Sequence, residues 1–191
     1  LASGRTAPVV VISVMAGVSL SDLRRLVGGA PALVRAMPNL PVAAHRGASG
    51  FCTDPAVAPA SAARAAQWVL GSGGYCCEVH ESQMDAVTGV SGSGAAYVAV
   101  FIEAMADGGV AAGLPRALAT ALAVETVAGA VAMLAPGGGA PSAAALKDMV
   151  ASPGGTTIAA LHALERGALR GTVMSAVTAA ANRSAELRAK L

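Results

Sequence analysis

Apolar residues fall into two rhythms along the chain. Up to about residue 84 they form short continuous runs set off by turn residues, the pattern of strands buried on both faces of a parallel sheet. The β-branched run VVVISV at 9–14 predicts a first strand, and AGVSLSDLRRLV at 16–27 predicts a turn and a short amphipathic helix. Residues 32–37 predict a second strand leading into PNLP, where two prolines within four residues forbid helix and fix an extended loop. A further strand is expected near 50–53, an alanine-rich helix over 55–70 stopped by the glycines of 71–74, and another strand at 75–79. Past residue 84 the β-branched runs give way to helical periodicity punctuated by Gly, Pro and Ser. It predicts helices at 91–112, 115–134, 142–151, 156–166 and 169–190, and a domain boundary between 84 and 85.

Composition narrows this picture. The 191 residues are 54% hydrophobic, 13% charged and only 3% aromatic, which excludes disorder and calls for a core of small aliphatic side chains. Alanine supplies about a quarter of the chain and favours closely packed helices. A formal charge of +2 with no basic block gives no footprint for a phosphate backbone, so nucleic acid is not an expected partner. Mean hydropathy is +0.61, yet the uncharged stretches 86–102 and 126–146 are not expected to span a membrane. The first is rich in Gly, Ser and Thr, and the second is broken by Pro136, three glycines and Pro141. No basic region precedes an apolar stretch at the start, so a signal peptide is not expected and the expected location is cytoplasmic. Cys52, Cys76 and Cys77 form no even framework and read as reduced core residues, the adjacent pair pointing to opposite faces of a strand.

The strongest local chemical signal is SPGGTT at 152–157, between two expected helices. Ser152 can cap and Pro153 suits a first turn, while Gly154 and Gly155 leave backbone N–H groups uncovered. With Thr156 and Thr157 these groups can surround a carboxylate or phosphate at the positive end of a helix; an ordinary capped turn is the alternative. TGVSGSGAAY at 88–97 resembles a phosphate loop but lacks a Lys-Ser/Thr ending, and Gly92, Ala95, Ala96 and Ala99 recur at the spacing of close helix packing. Glu103 and Asp107 lie on one helical face and read as structural acids. His45, His80 and His162 show no metal-ligand spacing, and no G-x-S-x-G elbow occurs. Trp68 reads as a core or interface residue, and the charges of 183–190 as a solvated helix face.

Several separated segments resemble the pyrroline-5-carboxylate reductase family: ISVMAGVS from Ile12, VRAMPNLP from Val34, DAVTGVSGSGAAY from Asp85, ADGGVAAGLPR from Ala106 and LKDMVASPGGTT from Leu146. Their order and spacing match over nearly the whole chain. The resemblance implies an α/β region followed by an all-α one: a truncated Rossmann-type parallel sheet over 1–84, then a helical dimerisation and substrate-binding domain over 85–191. The implied activity is NAD(P)H-dependent reduction of 1-pyrroline-5-carboxylate to L-proline, the last step of proline biosynthesis, in a homodimer or a larger ring of dimers. NADPH or NADH would be the cofactor.

By position, the resemblance sets Val14, Met15, Ala16 and Gly17 beside the dinucleotide and brings Met37, Pro38 and Asn39 to the nicotinamide. Ser152 and the backbone of Gly154, Gly155 and Thr156 would hold the ring carboxylate, the Thr157 hydroxyl would reach the ring nitrogen as the catalytic contact, and Glu81 would line the same pocket. Ala95 stands where the family's proline follows SGSG, and Met149 where an amide is common. The amino-terminal half of such a Rossmann domain, with its G-x-G-x-x-G turn, is not in these residues, so the chain alone is expected to have little activity. The competing expectation is a non-catalytic helical dimerisation module that keeps the reductase scaffold.

Overall fold

The computed structural model describes residues 9–28, 32–54 and 60–188. They fall into two compact units, 1–95 with 175–191 and 96–174. The expected division at 84/85 differs from this one, because residues 85–95 and the C-terminal segment group with the first unit.

The first unit is built from two β-α-β units. Strand β1 (Val10–Ser13), helix α1 (Leu20–Val27) and strand β2 (Ala32–Met37) make one; β3 (Gly47–Thr53), α2 (Ala60–Gly71) and β4 (Gly74–Glu78) make the other. The strands of each pair run parallel, in sheet order β1-β2-β3-β4. Between the pairs, β2 and β3 run antiparallel, with Met37 opposite Gly50 and Val34 opposite Thr53. The cause is length: the link 38–46 is shorter than the roughly a dozen residues a parallel crossover needs. That link is also not the extended loop expected of PNLP. Residues Leu40–Ala44 wind into a 3-10 turn with Pro41 in its first turn, where its missing N–H costs nothing.

Alternation along the strands divides the core between the two faces. On one, Leu33 and Cys52 pack with Val18, Leu20 and Leu23 around α1 and with Met84. On the other, Ala32, Val34, Ala36 and Phe51 pack with Ala62 and Ala66 of α2. Cys76 joins the α2 face, and burial pushes its thiol up from the usual value. Trp68, read as a core or interface residue, is 82% exposed and not in the core. The start expected for α2, 55–59, lies outside the described residues.

After β4 the chain is helical sooner than its composition signals. A 3-10 turn (Glu81–Gln83) leads into α3 (Met84–Val87), a π turn (Thr88–Gly92) and α4 (Gly94–Ala111). The last helix, α8 (Leu169–Arg188), returns to the first unit with its C-terminal half. There its backbone approaches so closely that a Cβ on Gly89 would lie 2.5 Å from the Val177 carbonyl oxygen. This segment is not wholly the solvated face expected of 183–190, since Ser184 is 3% exposed.

The second unit holds most of α4, α5 (Arg116–Leu134), α6 (Ala143–Val150), α7 (Thr156–Arg166) and the start of α8. Helices α4 and α5 meet through Ala106, Ala119 and Ala123. Asp107 joins Arg116 across the connecting turn in an exposed ion pair at 2.6 Å. By length and composition Glu81–Ala111 and Arg116–Leu134 could each cross a membrane, and little of their most apolar stretches is buried. The other stretch considered, 126–146, is broken where α5 ends at Leu134.

Candidate functional site

In the first unit the structure brings two of the expected segments to one sheet edge. Ser13 ends β1 opposite Arg35 of the parallel β2, so the turn 14–17 and the segment 37–39 leave the same end of adjacent strands. Val14 and Met15 are exposed at that edge. Gly17 turns the chain back with a φ of +76°, and a Cβ there would meet Leu187 Cβ at 3.2 Å and the Arg188 nitrogen at 3.4 Å. Only glycine combines that backbone with that proximity. Helix α1 then starts at a capping box: the Ser19 hydroxyl accepts from the Asp22 N–H at 3.1 Å, and the Asp22 carboxylate accepts from the Ser19 N–H at 3.3 Å.

The second segment is held from behind. Asn39 donates from Nδ2 to the Ser91 carbonyl at 3.3 Å and accepts at Oδ1 from the Ala48 N–H at 2.9 Å. Its amide is thus committed to the fold, and Ser91 adds a hydroxyl bond to the Ala48 carbonyl. Met37 packs against the α1-side core with its side chain half-buried.

Glu81 is engaged within the fold. Its carboxylate Oε1 accepts from the Leu20 N–H at 2.7 Å, satisfying an orphan donor at the α1 N-terminus, and from Arg35 Nη1 at 3.4 Å. Glu81 also borders an open cleft lined by Arg24, Asp54 and His80. Arg35 projects from β2 and is only 2% exposed. Its Nη2 lies 3.7 Å from Asp85 Oδ1. Asp85 in turn accepts from the Ser184 hydroxyl at 2.8 Å and pairs with Arg188 at 2.9 Å. Sequence reasoning missed this cluster, although an arginine in the middle of the apolar strand ALVRAM was its signal: a charge buried there must be paired. Cys52, beside it, has its thiol pushed up to about 11 by burial and then by the Glu81 charge. Among the described residues no three His, Cys, Asp or Glu side chains gather as a metal site.

Ser152, Gly154, Gly155, Thr156 and Thr157 lie in the second unit, at the start of α7. The N-cap is Gly155 and no side chain caps the helix, so Ser152 does not take the capping role expected of it. Pro153 accordingly precedes the helix rather than entering its first turn. The Gly155 N–H donates to the Ser152 carbonyl at 3.1 Å, which removes it from the expected set of free donors. Gly154 has a φ of +66°, and a Cβ on Gly155 would lie 2.3 Å from the Ser152 hydroxyl. Thr156, Thr157 and Ile158 sit in the first turn, where N–H groups have no intrahelical carbonyl. Ser152 and Gly154 are exposed, and Thr157 is half-buried. An uncapped helix start behind two glycines can receive an anionic group.

Comparison with known proteins gives this arrangement a family. A family model described as pyrroline-5-carboxylate reductase dimerisation matches residues 81–187. The pyrroline-5-carboxylate reductase of Arabidopsis thaliana is 48% identical over 178 residues, covering 93% of this chain and 63% of the relative. That of Synechocystis is 47% identical over 192 residues, covering 100% of this chain and 69% of the relative. Among solved structures, a Plasmodium falciparum pyrroline carboxylate reductase with NADP bound superposes with a TM-score of 0.84 at 34% identity, covering 94% of this chain and 71% of that one. A reductase from Coxiella burnetii gives 0.86 at 33% identity, covering 96% and 67%. The chain thus spans 63% of the length of the Arabidopsis relative and of the Pisum sativum one. On the family-model match, the identities and the shared fold together, this chain belongs to the pyrroline-5-carboxylate reductase family.

Proposed function

We propose that this chain supplies the substrate-binding and self-associating part of an enzyme that reduces 1-pyrroline-5-carboxylate to L-proline with NADPH or NADH. The observation that carries the reading is the bare start of α7: first-turn N–H groups with no side-chain cap, behind Gly154 and Gly155, in a chain of this family. A planar ring bearing one carboxylate fits such a start, the anion taking the orphan donors of Thr156 and Thr157. The Thr157 hydroxyl would then donate to, or relay a proton toward, the ring nitrogen, so that the imine carbon becomes the electron-poor centre.

For the dinucleotide, the fit rests on the exposed turn after β1. Val14, Met15 and Ala16 leave an open surface at the end of a parallel strand, the place where ligands sit in open α/β sheets. Met37 and Pro38 would border its nicotinamide. The bound cofactor supplies hydride; the chain's residues contribute orientation and exclusion of water. Self-association is part of the proposal, because α4, α5 and α8 leave Val100, Phe101, Leu118, Leu122, Val131 and Met174 exposed, more apolar surface than one copy can cover. The same exposure favours a second copy over lipid as the cover, given the dimerisation family matched over these helices.

The test is steady-state oxidation of NADPH and of NADH by the whole enzyme of which this chain is a part, in the presence of 1-pyrroline-5-carboxylate, with product identified as L-proline. Thr157→Val keeps the shape and removes the donor, and should lower kcat/KM roughly ten- to a hundredfold, about 1–3 kcal/mol of transition-state stabilisation. Cofactor affinity should hold. No turnover by the whole enzyme, self-associating but inactive, would favour the non-catalytic dimerisation module instead.

A further inference from the structure

The π turn Thr88–Gly92 interrupts a helical run that extends from Glu81 to Ala111. Its two glycines, of which Gly92 is read from sequence as a helix-packing position, meet neighbours of different kinds. A Cβ on Gly89 would press on the Val177 carbonyl oxygen, which belongs to the rigid backbone of α8. A Cβ on Gly92 would lie 2.6 Å from Met37 Cε and 3.8 Å from Met37 Cγ. The atom filling that space is the free end of an unbranched, adaptable side chain. It leaves the end of β2, where Met37 is the last strand residue. On the same turn, the Ser91 carbonyl accepts from Asn39 at 3.3 Å. One turn of helix therefore sets both Met37 and Asn39.

We propose that Gly92 is a positioning residue for the dinucleotide: its missing Cβ defines where the Met37 thioether rests, and so the shape of the surface offered to the nicotinamide. The inference rests on the functional reading above, which places residues 37–39 at that end of the cofactor. Gly92 touches no ligand in this account and acts through Met37. A methyl group at position 92 drives Met37 Cε out of its seat, and the three rotors of methionine let it move without breaking the strand. The displaced thioether then crowds the nicotinamide edge.

The experiment, on the whole enzyme, compares wild type, Gly92→Ala, Met37→Leu, Met37→Ala and the two Gly92→Ala double variants, by NADPH binding calorimetry and steady-state kinetics. Gly92→Ala should raise the Kd and KM for NADPH about tenfold, the scale of an overpacked contact. Its kcat should stay within about twofold, and its Tm at or above wild type because alanine suits helical backbone better than glycine. With Met37 shortened, the added methyl loses its one close approach and keeps only ordinary contacts such as Thr88 Cγ2 at 3.5 Å, so each double variant should match its Met37 single variant. Gly94→Ala is the control, since a Cβ at Gly94 has no neighbour within 4 Å; it should leave both constants unchanged. Unchanged Kd and KM in Gly92→Ala, or an equal loss with Met37 shortened, overturns the inference. Should Gly92→Ala alone fail to fold, the double variants decide: constants equal to those of the Met37 single variants uphold the inference, and different ones overturn it. A whole wild-type enzyme that neither binds NADPH nor reduces the pyrroline overturns the functional reading and this inference with it, whereas a fully active wild type matched by Gly92→Ala overturns this inference alone.

Discussion

The sheet unit and the helical unit bury different things. In the first, the side chains withdrawn from solvent include large ones beside alanines: Leu33, Val34, Phe51 and Met84 are all 1% exposed or less. In the second they are four alanines, Ala106, Ala119, Ala123 and Ala140, while Val100, Val131 and Met149 stand more than 60% exposed. Alanine lets helices approach closely but removes little apolar area, and stabilisation scales with area at roughly 25 cal/mol per Å². The sheet unit therefore buries the larger core, although Leu40 and Trp68 stand 82% exposed on it. The helical unit has its larger apolar residues turned outward, where a second copy can cover them.

The hardest blow to this contrast would be an association that survives a charge on the exposed helical face. Leu118 and Leu122 lie one turn apart on α5 and are 48% and 50% exposed. Leu122→Glu would bury a carboxylate against the partner's apolar surface and should weaken self-association roughly a hundredfold or more, about 3 kcal/mol. Sedimentation velocity across a concentration series reads this directly. The far-ultraviolet spectrum of the sheet unit's strands should not change. Full association by Leu122→Glu would mean that another surface joins the copies.

The sheet unit should break elsewhere. Arg35 is buried between Glu81 and Asp85, and Asp85 also holds Ser184 and Arg188 of α8. Asp85→Asn leaves the buried guanidinium with Glu81 as its remaining carboxylate partner and should cost about 1.5–3 kcal/mol in denaturant unfolding, the scale of a lost charge-assisted bond. Arg183→Ala, which removes an exposed pair with Glu186, should cost less than about 1 kcal/mol. Self-association should be the same in both variants. A Asp85→Asn protein as stable as Arg183→Ala would show that water already reaches the cluster.

The same contrast explains what could be read from the sequence. Strand β2 and helix α7 run as expected because their signals are local: ALVRAM is a compact apolar run, and Gly155 and Gly167 bracket the helix. Strand β3 begins earlier than expected, at Gly47, since Gly-Ala-Ser carries no strand propensity. What holds it is a backbone approach in which a Cβ on Gly74 would sit 2.3 Å from the Gly47 carbonyl oxygen. The π turn was illegible for a related reason: its glycines answer to Met37 and Val177, both remote in sequence. Of the candidate site, SPGGTT was legible as a helix start because its glycines and proline act locally. The bond from the Gly155 N–H to Ser152 was not, and neither was the cluster of Arg35, Asp85, Ser184 and Arg188, assembled from segments far apart in the chain.

The smallest effect tests the join between the exposed turn after β1 and the helix behind it. Ser19 caps α1, and Ser19→Ala removes the acceptor for the Asp22 N–H, which should cost about 1 kcal/mol, typical of a lost N-cap. The loss should stay near that figure because the adjacent Leu20 N–H keeps its bond to Glu81 at 2.7 Å. It should also depend on pH in a definite sense. The Ser19 hydroxyl is the main influence holding the Asp22 carboxyl below its ordinary value of 3.8. A carboxyl whose folded value is lowered contributes stability that is present above the ordinary value and is lost as the pH falls through the folded one. The gap between wild type and Ser19→Ala should therefore be widest near neutrality and narrow on acidification below the ordinary carboxyl range, as read by denaturant melts at several pH values. A gap that widened in acid would mean that Asp22 is not held by Ser19. Association should not respond at any pH, since α1 belongs to the sheet unit and the proposed contact to α4, α5 and α8.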